Sequence, residues 1–141
     1  MLLSGSLASV ASIAAASVLA RRQTGSVASA PNATSHWLWG EPAMHRHRMD
    51  LRHTLAGYAI HHASSLFWAT FHEAGLERTR VAPSRLAPAV AAMALVVDYG
   101  VATRRLTPGF ERHLSRTGLA VVYAAFAGGL ALGSRLARRL E

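Results

Sequence analysis

Four long apolar stretches, divided by connections rich in arginine, organise the chain. The first runs from Leu2 to Ala20, close to the length needed to cross a hydrocarbon core of about 30 Å at about 1.5 Å per residue. Within it Ala8, Ser12, Ala16 and Ala20 recur every fourth residue, a small-residue face of the kind on which membrane helices approach closely. Val18-Leu19-Ala20 resembles a leader-cleavage site, but no Lys or Arg precedes the stretch, so the pattern predicts a retained helix. The second stretch runs from Thr54 to about Glu77. The third, from Leu86 to about Thr103, is entered through Pro83 and Pro88. The fourth runs from Thr117 to about Ala137 and carries Ala125, Gly129 and Gly133, a small-residue face predicted to join copies into a homo-oligomer.

The longest polar connection, residues 23–53, contains Pro31-Asn32-Ala33-Thr34, the group His36-Trp37-Leu38-Trp39-Gly40 and the basic run His45-Arg46-His47-Arg48. Indole has an apolar body and a polar N–H, which places Trp37 and Trp39 at a membrane interface. The segment is predicted to lie on the surface as a short amphipathic or re-entrant piece. The fold expected is therefore all-α, one integral membrane domain over residues 1–141. It is a four-transmembrane-helix bundle (helices about 2–20, 54–77, 86–103 and 117–137) with an interfacial segment between helices 1 and 2.

Composition sharpens this picture. Hydrophobic residues make up 51% of the 141, more than an ordinary soluble domain of this size carries, and membrane residence follows as the first expectation. All fifteen basic side chains are arginine, in a chain heavy in Ala and Leu, which reads as the coding bias of a GC-rich bacterial genome. A net charge of +8 on a soluble protein would point to nucleic acid. Here the arginines stand at the edges of the apolar stretches, where guanidinium groups meet anionic headgroups, so lipid and not nucleic acid is the expected partner. The connections on one face hold nine arginines and those on the other face six, which predicts the nine-arginine face in the cytoplasm and both termini outside. The absence of cysteine excludes disulfides, thiolate metal sites and thiol chemistry.

The second stretch holds the pair His61-His62, and an imidazole at membrane depth is costly without a partner or a task. Counted from the nine-arginine face, His61 and His62 lie roughly 12 to 14 Å deep, Asp98 about 9 Å deep, and Tyr123 at a similar level. The four stretches thus bring polar groups to one layer, with Ser12 and Ser17 of the first bracketing it. An ion pair of Asp98 with His61 or His62 would relieve the isolation of both. The competing partners for Asp98 are Arg104 and Arg105 at the helix end. A second pair, His72-Glu73, lies three turns further along, near the six-arginine face and within reach of Arg78 or Arg80. His61, His62 and His72 are also candidate haem or metal ligands, and His45 and His47 weaker ones. Phosphate-binding loops, zinc-protease motifs and nucleophile elbows are missing from the sequence, so an enzyme is not the expected reading.

The segments Asn32-Ala33-Thr34-Ser35-His36-Trp37-Leu38-Trp39-Gly40, Gly57-Tyr58-Ala59-Ile60-His61-His62 and Val97-Asp98-Tyr99-Gly100 resemble a group of small multi-span bacterial inner-membrane proteins of uncharacterised function. The resemblance covers roughly the first three-quarters of the chain. It implies residence in the inner membrane and singles out His36, Trp37, His61, His62 and Asp98, and it brings no activity with it. Three roles remain open from the sequence: a polar centre of His61, His62, Asp98 and Tyr123 that handles protons or ions, a haem- or metal-binding membrane module, and a structural or assembly protein.

Overall fold

The computed structural model describes residues 1–140, and every regular element among them is helical. Helix α1 spans Leu2–Thr24 and outlasts the apolar stretch, because Arg21 and Arg22 in its last turn face the negative end of the helix dipole. It stops at Gly25, whose φ of 77° returns its N–H to the Arg21 carbonyl. Two short helices follow, α2 at Ser29–Thr34 and α3 at His36–Trp39. Helix α4, Ala56–Thr79, is entered through a π-helical turn, Leu51–Leu55, capped by the Asp50 carboxylate on the His53 N–H at 2.7 Å.

Helix α5, Pro83–Val96, starts three residues earlier than Leu86, because proline at the first turn forfeits no hydrogen bond there. It passes into a second π-helical turn, Val97–Val101, which carries Asp98. Helix α6 covers Arg116–Leu140.

The four long helices close a ring in which α1 packs on α6, α6 on α5, α5 on α4 and α4 on α1. The tightest approach is α1 to α6. A Cβ on Gly129 would overlap the backbone of Ala8, and one on Gly133 the backbone of Ser4. Gly129 and Gly133, which spacing assigned to homo-oligomer formation, thus meet α1 of the same chain.

The interior holds small polar side chains among the apolar ones, and large apolar side chains cover much of the outside. Ser4, Ser9, Ser12, Ser65, His72 and Ser134 are buried, while Val10, Val18, Phe67, Phe71, Met93 and Leu132 are exposed. A water-soluble bundle sorts these residues the other way. Three helical segments, Leu2–Thr24, Pro83–Val101 and Arg116–Leu140, are long and apolar enough to cross a membrane. Helix α4 equals them in length, but its histidines and Glu73 lower its hydropathy.

The connection between α1 and α4 departs most from expectation. It does not lie along a surface: all six residues of α2 are buried. Asn32 is the knot that holds it there, its Nδ2 donating to the carbonyls of Arg46 (3.1 Å) and Arg48 (2.9 Å) while its Oδ1 accepts the Thr54 hydroxyl (2.7 Å). Gly57 leaves room for α2, since a Cβ there would overlap the Pro31 carbonyl. The result is a folded cap over one end of the bundle.

Candidate functional site

Inside the bundle, beneath the cap, lies a cavity of about 50 Å³. Its polar wall comes from three of the long helices and the turn after α5: Ser12 of α1, His61, Ser64 and Ser65 of α4, Asp98 of the turn, and Tyr123 of α6. Trp68, Ala94, Val122 and Phe126 complete the sides, and Thr34, Trp37, Pro108 and Phe110 close the end under the cap.

Two hydrogen-bonded pairs face this space. The Tyr123 hydroxyl donates to Asp98 Oδ2. Across the cavity, His61 Nε2 lies 2.9 Å from Ser12 Oγ. The single Ser12 proton is directed at the Ala8 carbonyl, 2.7 Å away, so Nε2 is the donor to Ser12. The neutral His61 ring then keeps its lone pair on Nδ1. Asp98 is thus held by a phenol, and the expected pairing with His61, His62, Arg104 or Arg105 does not occur. The reason is geometric. Asp98 sits on the face of its turn that meets α6, whereas His61 is aimed at α1. Asp98 and His61 share a cavity without touching.

His62 does not join them. Its ring packs against Tyr58 at 5.8 Å between centroids, and its Nδ1 is buried without a partner. Successive helix residues point about a quarter-turn apart, so only one member of a His-His pair can face a given cavity.

His72 and Glu73 form a separate centre. His72 is fully buried. Ser134 of α6 donates to Glu73 Oε1 at 2.6 Å and lies 3.2 Å from His72 Nδ1. The partner is a serine of the facing helix, where sequence spacing pointed to Arg78 or Arg80. His61 and His72, about 16 Å apart along one helix, cannot ligate the same metal or haem iron. Among the described residues no three His, Asp or Glu side chains converge as a metal site. His45 is exposed, and His47 Nδ1 is 2.9 Å from Ser29 Oγ.

The cap fixes the roof of the cavity through its polar atoms. Trp37 Nε1 donates to the Thr107 carbonyl (2.9 Å), Thr34 Oγ1 to the Pro108 carbonyl (2.9 Å), and His36 Nδ1 to the Ala33 carbonyl (2.7 Å). Trp37 is therefore a roof residue, where the sequence suggested an interface anchor. Trp39 stays at the rim with the Arg52 guanidinium 4.1 Å from its ring centroid. Gly109, at φ 82°, brings the loop against the Ala33 backbone, and this seats Phe110 5.7 Å from the His61 ring.

Outside the helices, burial in the cap lowers the pKa of His113 below its ordinary 6.5, and the Met44 carbonyl accepts its Nε2–H at 2.9 Å. The carboxyl of Asp50 is lowered too, chiefly by the backbone N–H of His53 and then by that residue's ring.

Thr34, Pro108, Phe110 and Phe126 are cavity residues that the sequence did not single out. The Pro108-Gly109 turn before an aromatic residue is the one signal that marks any of them. No protein-family model, curated protein or solved structure matches the chain.

Proposed function

We propose that the protein is a four-span protein of the bacterial inner membrane whose central cavity binds and passes protons or small cations between Asp98 and His61. Helix α4 serves as the fourth span. Its outward side carries Phe67 and Phe71, while Ser65 and His72 are turned inward. Polar groups turned toward neighbouring helices are admissible at membrane depth.

One observation carries the functional reading: a carboxyl group and an imidazole line the same small cavity without consuming one another. Direct pairing would favour a static brace between helices. Here each is steadied by a hydroxyl, Tyr123 for Asp98 and Ser12 for His61, and each faces space that admits water. A proton on the Asp98 carboxyl reaches His61 Nδ1 through such water, leaving the carboxylate held by Tyr123 and the imidazolium held by Ser12.

The test is proton flux in proteoliposomes carrying a pH-sensitive dye under an imposed potential. Wild type should acidify or alkalinise the lumen faster than empty vesicles. Asp98→Asn and His61→Phe should each return the rate to the background. Equal rates for wild type and both variants, at equal reconstituted amounts, would remove the reading.

A further inference from the structure

The apolar part of the cavity wall points to a narrower class of occupant than a proton alone. Five aromatic side chains, Trp37, Trp68, Phe110, Tyr123 and Phe126, line the space together with Asp98. Among the described residues Asp98 is the one lining side chain that carries formal charge when ionised, apart from the titratable His61, and no arginine reaches the wall. The site therefore offers one negative charge inside an aromatic enclosure.

We infer that this cavity is a binding site for a small ammonium-type cation, of the size of ammonium or methylammonium. The inference rests on the proposed role of Asp98 as a cation-handling group. Aromatic rings attract a desolvated cation through the negative face of the π system, and they do so best when the cation is weakly hydrated and brings its own hydrogen-bond donors. Tyr123 occupies Asp98 Oδ2, which leaves Oδ1 to accept an N–H from the ligand. Ser64, Ser65 and Thr34 add hydroxyl oxygens to the same wall.

An alkali or divalent ion needs a shell of several oxygens to replace its water, and a wall this rich in carbon does not supply one. At about 50 Å³ the space takes a few non-hydrogen atoms, which excludes a bulky quaternary ammonium. Both limits set a selectivity order: methylammonium and ammonium bind, sodium and tetramethylammonium do not.

The experiment is calorimetric titration of the full chain in detergent with the chloride salts of methylammonium, sodium and tetramethylammonium at constant ionic strength. Methylammonium should bind wild type saturably, while the other two give no saturable heat. Asp98→Asn keeps the shape and an acceptor for Tyr123, and should weaken methylammonium by at least about tenfold. Trp68→Phe keeps an aromatic face and should retain binding, whereas Trp68→Leu should weaken it by about fivefold.

The wild-type selectivity order needs no variant and so stands even if a variant fails to fold. Absence of methylammonium binding to wild type, or equal binding of sodium, overturns the inference. Should proton flux still depend on Asp98 in that case, the proton-handling role survives and only the ammonium class falls. Loss of both removes the two together.

Discussion

The neighbouring glycines 128 and 129 test the α1–α6 contact with two single-methyl changes. A Cβ at position 129 would lie 2.6 Å from both the Ala8 nitrogen and the Leu7 carbonyl oxygen, whereas one at position 128 meets nothing within 4 Å. Ordinary Cβ contacts begin near 3.4 Å, so Gly129→Ala forces α1 and α6 apart by most of an ångström against backbone that cannot rotate away. Overpacking of this kind costs about 1–3 kcal/mol. Both substitutions also gain helix propensity, about 0.5–1 kcal/mol, because both replace glycine by alanine in one helix. That gain cancels between the variants, and the difference isolates the clash. The expected gap is about 1–3 kcal/mol, or roughly 5- to 150-fold in the unfolding equilibrium. The assay is reversible unfolding in mixed detergent micelles followed by circular dichroism. Gly128→Ala should match or exceed wild type in stability, and Gly129→Ala should fall clearly below it. Equal midpoints for the two variants would refute the close packing of α1 on α6.

Three further outcomes follow from the cap. Asn32→Ala removes both hydrogen bonds to the Arg46 and Arg48 carbonyls and the acceptor of Thr54, at a cost of about 1–3 kcal/mol, and should speed tryptic cleavage after Arg46 and Arg48 relative to wild type. Trp37→Phe loses the donor to the Thr107 carbonyl while keeping an aromatic roof, which should lower stability by about 0.5–1.5 kcal/mol in the same unfolding assay. His113 has its folded pKa below the unfolded value of 6.5, so the unfolded chain binds more protons in the interval between the two. Stability should therefore fall as the pH is lowered through 6.5 and level off below the folded pKa, and His113→Gln should flatten that part of the profile in thermal unfolding at a series of pH values.

Much of the helical frame was legible in the sequence because apolar length is a direct record of burial in helix or lipid. The stretches beginning at Leu2, Leu86 and Thr117 correspond to α1, α5 and α6, with ends displaced by the capping chemistry of Gly25 and Pro83. Residue counting set Asp98 and Tyr123 at one depth, and the two are hydrogen bonded. Depth is readable from 1.5 Å per residue, but azimuth is not. That is why His61 and His62 looked equivalent, and why Asp98 seemed able to reach either. The glycines of α6 illustrate the same gap, since spacing identifies a close-packing face without saying whose helix it meets.

The cap was the least legible part. Its order comes from contacts between segments far apart in sequence: Thr34 with Pro108, Trp37 with Thr107, and Gly109 against Ala33. Local polarity reads such a segment as exposed. Its buried polar atoms are satisfied by backbone carbonyls of distant loops, a pairing that leaves no periodic trace.

Infrared titration of the full chain in lipid nanodiscs addresses the Asp98 cavity most directly, because a protonated carboxyl group has its own carbonyl stretch. A band that appears and vanishes with pH should be present in wild type, lost in Asp98→Asn and shifted in Tyr123→Phe, since that phenol is the carboxyl's hydrogen-bond partner. A spectrum in which no carboxyl band titrates, or in which the same band survives Asp98→Asn, would contradict a proton-handling role for Asp98.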